Sequence, residues 1–209
     1  MTPRGPYDIA LLRGVLKAAQ SRTLTTDAPA PSRHAGDDDA LSAESQQLIA
    51  AWNGWRGDKP VPHRRDMDLV SIARLMPQLI LLEIFSSERA VFRLVGNDIE
   101  QLAGLRLMGR DYLQFVPADQ RADRSRLLQQ AVAHPFGLAA FYALRLPDDS
   151  RRMMQICILP LLANEAGAPP QLLGVASNLP SSRYGENRNL QVTALRMHLL
   201  DLGAGLPSA

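Results

Sequence analysis

The amino-acid sequence predicts an α+β domain built on one antiparallel sheet, and three observations carry that prediction. Leu79–Phe85 and Ala90–Val95 are short β-rich runs separated only by Ser86-Ser87-Glu88-Arg89, the pattern of a hairpin. A string of helical segments then runs to His134-Pro135, and three further β-type runs follow at Leu138–Leu146, Arg152–Leu162 and Gln171–Leu179. Two strands, a helical stretch and three strands within about a hundred residues leave no room for the crossover helix that each parallel pairing requires. The expected architecture is a five-stranded antiparallel sheet with short helices and one longer helix packed on one face, flanked by N- and C-terminal helices.

Each element has a local reason. Residues 1–40 contain Pro3, Pro6, Pro29 and Pro31, the acidic run Asp37-Asp38-Asp39 and mostly small polar residues, a composition that predicts a disordered tail. Within it Ile9, Leu12, Val15 and Leu16 have the spacing of a short helix over Tyr7–Gln20. Ser42 has a hydroxyl suited to capping a helix N-terminus, Glu44 follows in the first turn, and Gly57 suits the helix end. Between them Leu48, Ile49, Trp52 and Trp55 form an apolar stripe. The connector from Pro60 to Pro77 completes a lead-in over residues 41–77, and the sheet-bearing core is expected over 78–180. Asn97 caps a brief helix ending at Gly104, Gly109–Phe115 forms another turn, and Pro117-Ala118-Asp119 starts the longest interior helix. That helix shows Leu127, Leu128, Ala131 and Val132 on one face and stops at His134-Pro135. In residues 181–209, Leu195 and Leu199 repeat a helical stripe within Leu190–Leu202, predicting a C-terminal helix closed by Gly203.

Composition narrows the function. The chain has 209 residues, 46% hydrophobic and 21% charged, enough for one domain with a modest surplus. No apolar run reaches the roughly 18 residues of a membrane span. The stretch Ile9–Leu12 is too short for a secretory signal core, so a cytoplasmic location without membrane insertion is expected. The single cysteine, Cys157, excludes an internal disulfide and a zinc knuckle. With 23 Lys+Arg against 21 Asp+Glu the net charge is only +2, so nucleic acid is not the expected partner. Arg121, Arg124, Arg126, Arg151 and Arg152 are interleaved with Asp119, Asp123, Asp148 and Asp149 and read as solvated faces.

The segments Phe92-Arg93-Leu94-Val95-Gly96-Asn97-Asp98, Leu102-Ala103-Gly104, Gly109 and Tyr112-Leu113-Gln114-Phe115, followed by Pro117-Ala118-Asp119-Gln120-Arg121, resemble a PAS domain. The lead-in carrying Trp52, Arg56, Pro60 and Arg64-Arg65-Asp66 is similar to that of the PAS-type family common in α-proteobacteria, in which a Trp-bearing helix precedes a single PAS core. The resemblance covers residues 45–180 and implies a stand-alone sensory or regulatory module in signal transduction. Such a module acts by protein–protein contact, with a small apolar ligand as an option in its core. PAS sheets commonly expose one face that a flanking helix covers in a dimer, so Leu48, Ile49, Trp52 and Trp55 become homodimer-interface candidates. No kinase, cyclase or DNA-binding output pattern follows the core, so an unidentified signalling protein, itself a kinase, cyclase or regulator, is the implied partner.

The same resemblance places a ligand between the sheet and the short helices. The candidate lining is Phe92, Leu94, Leu102, Leu107, Tyr112, Phe115, Leu127, Leu128, Tyr142, Met154 and Ile156. The tight five-residue spacing from Gly104 to Gly109 implies limited room. A haem- or flavin-binding redox or gas sensor is the alternative. The haem-binding PAS subclass draws its iron ligand from near the long helix, which makes His134 the candidate there. His34, His63 and His198 have no metal-ligand spacing. The blue-light subclass uses a cysteine in the short helices, and Leu102–Phe115 has none. No nucleophile elbow, zinc-binding helix or phosphate-cradling glycine loop is present, so no catalytic residues, no enzyme activity and no resident cofactor or metal are expected. Gly96, Gly104 and Gly109 are expected at helix ends and positive-φ positions.

Overall fold

A computed structural model describes residues 40–103, 105–116, 118–145, 151–177 and 191–206. The expected tail helix over Tyr7–Gln20, the Asp37–Asp39 run and the helix end at Gly104 lie outside them. The architecture is α+β, and its sheet is antiparallel with the order β2-β1-β5-β4-β3-β6.

Helix α1 (Ala43–Arg56) begins where the sequence places it. The Ser42 hydroxyl accepts from the Ser45 amide at 3.1 Å, Glu44 lies in the first turn, and Gly57 ends the helix with φ of 53°. Two short 3-10 turns, Arg64–Asp66 and Ala73–Gln78, carry the connector to the sheet. Strands β1 (Leu79–Ser86) and β2 (Arg89–Val95) form the predicted hairpin. Helix α2 (Asn97–Ala103), a 3-10 turn over Tyr112–Phe115 and helix α3 (Arg121–Ala133) follow. Strands β3 (Phe136–Arg145), β4 (Arg151–Leu161) and β5 (Gln171–Ser177) then add to the sheet.

The strand count is six rather than the expected five. Residues Gln191–Asp201, expected as the C-terminal helix, form strand β6 at the edge beside β3. The helical reading rested on the four-residue interval between Leu195 and Leu199. In the strand the register shifts opposite Phe141/Tyr142, where Ala194 and Arg196 face successive partners and Leu195 is the inserted residue. A bulge reverses the phase of side-chain alternation, so the period-2 signal of Val192 and Ala194 is not continued by Met197 and Leu199.

The helices cover both faces of the sheet. On one face Leu48 and Trp52 of α1 are fully buried with Leu79, Leu81, Cys157, Leu159, Leu173 and Val175, and Val61, Ile72 and Leu75 of the connector complete this layer. On the other face Leu128 and Ala131 of α3, with Leu107, Leu113 and Phe115, pack on Leu82, Phe92, Leu138, Leu172 and Ala176. Every residue of β5 is buried, as expected for a central strand covered on both sides. No helix among the described residues is long and apolar enough to cross a membrane.

This packing corrects the interface assigned to the α1 stripe. Leu48 and Trp52 are 0% exposed and face their own sheet, where the Trp52 indole N–H donates to the Pro160 carbonyl at 2.7 Å. Ile49 and Trp55 are half-buried against the same cluster. The sheet face left open in the expected architecture is covered within the chain, so Leu48 and Trp52 have no surface to offer a second copy.

A polar clamp fixes the start of α1. The Gln155 Oε1 accepts from the Ser42 amide at 2.9 Å and from the Ser45 hydroxyl at 2.6 Å, while the hydroxyls of Ser42 and Ser177 lie 2.6 Å apart. Ser45, Gln155 and Ser177 are buried, so their polar groups are stabilising only because they satisfy one another.

Candidate functional site

The face of the sheet opposite α1 is not completely filled. Between it and the helices lies a cavity of about 100 Å3. Its floor follows the strict alternation of strands: Leu138, Ala140 and Tyr142 on β3, Met154, Ile156 and Ile158 on β4, and Leu172, Gly174 and Ala176 on β5. Ile80 and Leu82 on β1, Phe92 on β2 and Met197 on β6 extend it sideways. Ile99, Ala103, Leu107, Tyr112, Arg124 and Leu128 form the cover.

The void has a local cause in residue size. Ala176, Ile156, Ala140 and Met197 are consecutive cross-strand neighbours, and Gly174 lies opposite both Ile80 and Ile158 in the next row. Two alanines and a glycine at the middle of the sheet leave space that helices resting on Leu82, Phe92 and Leu138 do not enter.

The cover is held by hydrogen bonds to the edge of β2. The Phe92 amide donates to the Arg110 carbonyl at 3.0 Å and the Gly109 amide to the Phe92 carbonyl at 2.8 Å. Gly109 has φ of 82°, a conformation that glycine tolerates best. Asp111 joins the two segments: its Oδ1 accepts from the Leu113 amide at 3.0 Å, capping the Tyr112–Phe115 turn, and from the Ala90 amide at 3.1 Å. Asp111→Ala is expected to lower stability by about 1–2 kcal/mol, the scale of a lost cap. Urea denaturation checks this, and Asp111→Asn, which keeps an acceptor oxygen, should recover most of the loss.

Three polar side chains interrupt the apolar lining. Tyr112 packs edge-on against Phe92, with ring centroids 5.9 Å apart. Burial pushes the Tyr142 phenol up to about 12, partly offset by Arg124, so it is a neutral hydroxyl at physiological pH. Proximity to Tyr112 raises the Arg124 pKa, outweighing burial, which acts the other way.

Of the residues selected from sequence, Phe92, Leu107, Tyr112, Leu128, Tyr142, Met154 and Ile156 line this cavity. Leu94 does not: it packs in the α1 layer. The β1–β2 register shifts so that Leu81 pairs with Leu94 and Leu82 with Phe92, leaving Arg93 as the extra residue. Phe92 and Leu94 therefore face opposite sides despite their two-residue spacing. Phe115 is core, its ring centroid 6.2 Å from that of Phe92, and Leu127 packs half-buried at the margin of the same cluster; neither lines the cavity. The Leu102 side chain lies outside the described residues. Sequence reasoning missed Arg124, because a charge among Arg121, Asp123 and Arg126 reads as solvent-facing, and it missed the small residues Ala140, Gly174 and Ala176, which have no side chain to signal a pocket.

His134, the haem-ligand candidate, is exposed, with its Nε2 3.1 Å from the Gly205 carbonyl, and does not reach the cavity. Among the described residues no histidine or cysteine lines the cavity. Cys157 is fully buried on the opposite face, in the α1 layer, and burial pushes its thiol up to about 12.

An antiparallel sheet with a cover of short helices plus one longer helix constitutes the fold that the sequence resemblance implied. A PAS domain family model matches residues 41–177. The chain belongs to the PAS domain family. The matched stretch opens just before α1 and closes at the end of β5, so the Trp-bearing lead-in helix is part of this PAS domain, whereas β6 lies beyond the match. Membership of this family makes the chain a sensory or regulatory module in general terms. A search of curated proteins returns no match.

Proposed function

We propose that this PAS domain is a non-catalytic signal-transduction module that takes a small apolar ligand into the cavity beneath α2 and α3 and reports its occupancy to a second protein by direct contact. The cavity carries the proposal. It is lined by aliphatic and aromatic side chains, which favour uptake of an apolar group, and it is closed by short helices whose position depends on a few edge hydrogen bonds. Among the described residues its lining offers no nucleophile with an adjacent base and no carboxylate, which supports a binding role over a catalytic one. The partner is a signalling protein, a kinase, cyclase or regulator, and the working unit is a homodimer whose contact lies away from Leu48 and Trp52, in the cytoplasm.

Native mass spectrometry of the full chain, purified without added ligand, tests ligand and assembly together. The expected spectrum shows a dimer carrying additional small-molecule mass that solvent extraction removes. A monomer mass overturns the dimer. A clean apo mass, combined with no uptake of small apolar probes, overturns the ligand role and leaves only protein–protein contact.

A further inference from the structure

Among the described residues Arg124 is the one cation in the cavity wall. It stands four residues before Leu128 on α3, so the two side chains share a helix face and both reach the cavity. The neighbouring arginines have partners: Arg121 donates to the Val116 carbonyl at 2.9 Å and Arg126 pairs with Asp123 at 3.1 Å. Arg124 is half-buried, and among the described residues it has no carboxylate at ion-pair distance and no hydrogen-bond acceptor.

A guanidinium does not deprotonate to escape this position. Half-withdrawn from water and without a protein acceptor, it carries a partial desolvation cost that a bound anion would relieve. The Tyr142 phenol, held neutral by burial, can donate, and the Tyr112 hydroxyl lines the same cavity, so among the described residues the polar corner holds donors and no anionic acceptor. The remaining wall is hydrocarbon and thioether. One positive charge matches a singly charged ligand, and a planar two-oxygen group matches the guanidinium fork. A dianionic phosphate would leave one charge uncompensated against an apolar wall.

We infer that the cavity is a binding site for a small apolar monocarboxylic acid, its carboxylate held by Arg124 with Tyr112 and Tyr142 and its hydrocarbon part lying on the row Ala176, Ile156, Ala140 and Met197. The inference rests on the reading that the core accepts a small ligand, and names the class of that ligand. The cavity volume of about 100 Å3 limits the acid to a short or branched chain.

The test uses the full chain with two probes of equal shape, isovalerate and isovaleramide, titrated calorimetrically at neutral pH. Isovalerate should bind at least about tenfold more tightly, the scale of a charge-assisted hydrogen bond over a neutral one. Arg124→Gln should reduce isovalerate binding to that of the amide. The wild-type ratio of acid to amide requires no variant and keeps the inference testable if Arg124→Gln folds poorly. Ala140→Leu, which fills the floor, should abolish binding of both probes. Equal binding of acid and amide overturns the carboxylate assignment while leaving the ligand-binding cavity intact. Binding of neither overturns both readings, and isovalerate binding that survives Ala140→Leu places the acid elsewhere and overturns the site.

Discussion

Trp52→Ala is expected to remove most of the stability of this PAS domain. The indole is 0% exposed, fills the layer between α1 and the sheet, and donates to the Pro160 carbonyl at 2.7 Å. Truncating a buried tryptophan costs about 3–5 kcal/mol, and leaving the Pro160 carbonyl without its indole donor adds roughly 1 kcal/mol or more. A domain with about 5–15 kcal/mol in total tolerates such a loss poorly. With a urea m-value of roughly 2 kcal/mol/M, the denaturation midpoint should fall by about 2 M. Trp52→Phe separates the two contributions: it keeps most of the packing, loses the hydrogen bond, and should cost only about 1–3 kcal/mol. A midpoint unmoved by Trp52→Ala would show that α1 does not cover the sheet, and would reopen the stripe as an interface.

Gly96→Ala is expected to be at least as damaging for a different reason. Gly96 joins β2 to α2, and its amide donates to the Leu79 carbonyl at 2.8 Å. A β-carbon at this position would overlap the backbone carbonyl of Pro77 and the carbonyl oxygen of Met76. Those atoms belong to the main chain of the 3-10 turn leading into β1 and cannot rotate aside. Overpacking that shifts backbone costs about 3 kcal/mol or more, so the variant should melt far below wild type or accumulate as insoluble protein. Gly54→Ala is the matched control: it lies within α1 with nothing within 4 Å of its added methyl. It should stabilise the chain by about 0.5–1 kcal/mol through helix propensity. Similar melting of Gly96→Ala and wild type would refute the close approach.

These two positions also show where sequence reasoning succeeds and fails. The apolar character of Trp52 and its place in a capped helix were legible, because both are properties of a few adjacent residues. Its partner was not, since the Pro160 carbonyl lies 108 positions away in sequence. Gly96 was recognised as a required glycine, yet the requirement is contact with Met76 and Pro77 rather than a helix end or positive φ. The hairpin and strands β3 to β5 were legible through uninterrupted composition and turn signals. Errors concentrate at bulges: Arg93 turned Leu94 away from the cavity, and Leu195 disguised β6 as a helix. One of the three polar side chains of the cavity was hidden for another reason, since the direction of Arg124 depends on which face of α3 meets the sheet.

The clamp at the head of α1 makes the sheet a short transmission line. Gln155, which accepts from Ser42 and Ser45, sits between Met154 and Ile156, two residues of the cavity floor; Ser177, which meets Ser42, directly follows Ala176. Neighbouring residues on a strand face opposite sides yet share rigid peptide planes. If the proposed ligand displaced the floor of the cavity, the acceptors that seat α1 would move with it through the strand backbone. The proposed ligand floor and the residues that hold the head of α1 are one peptide unit apart.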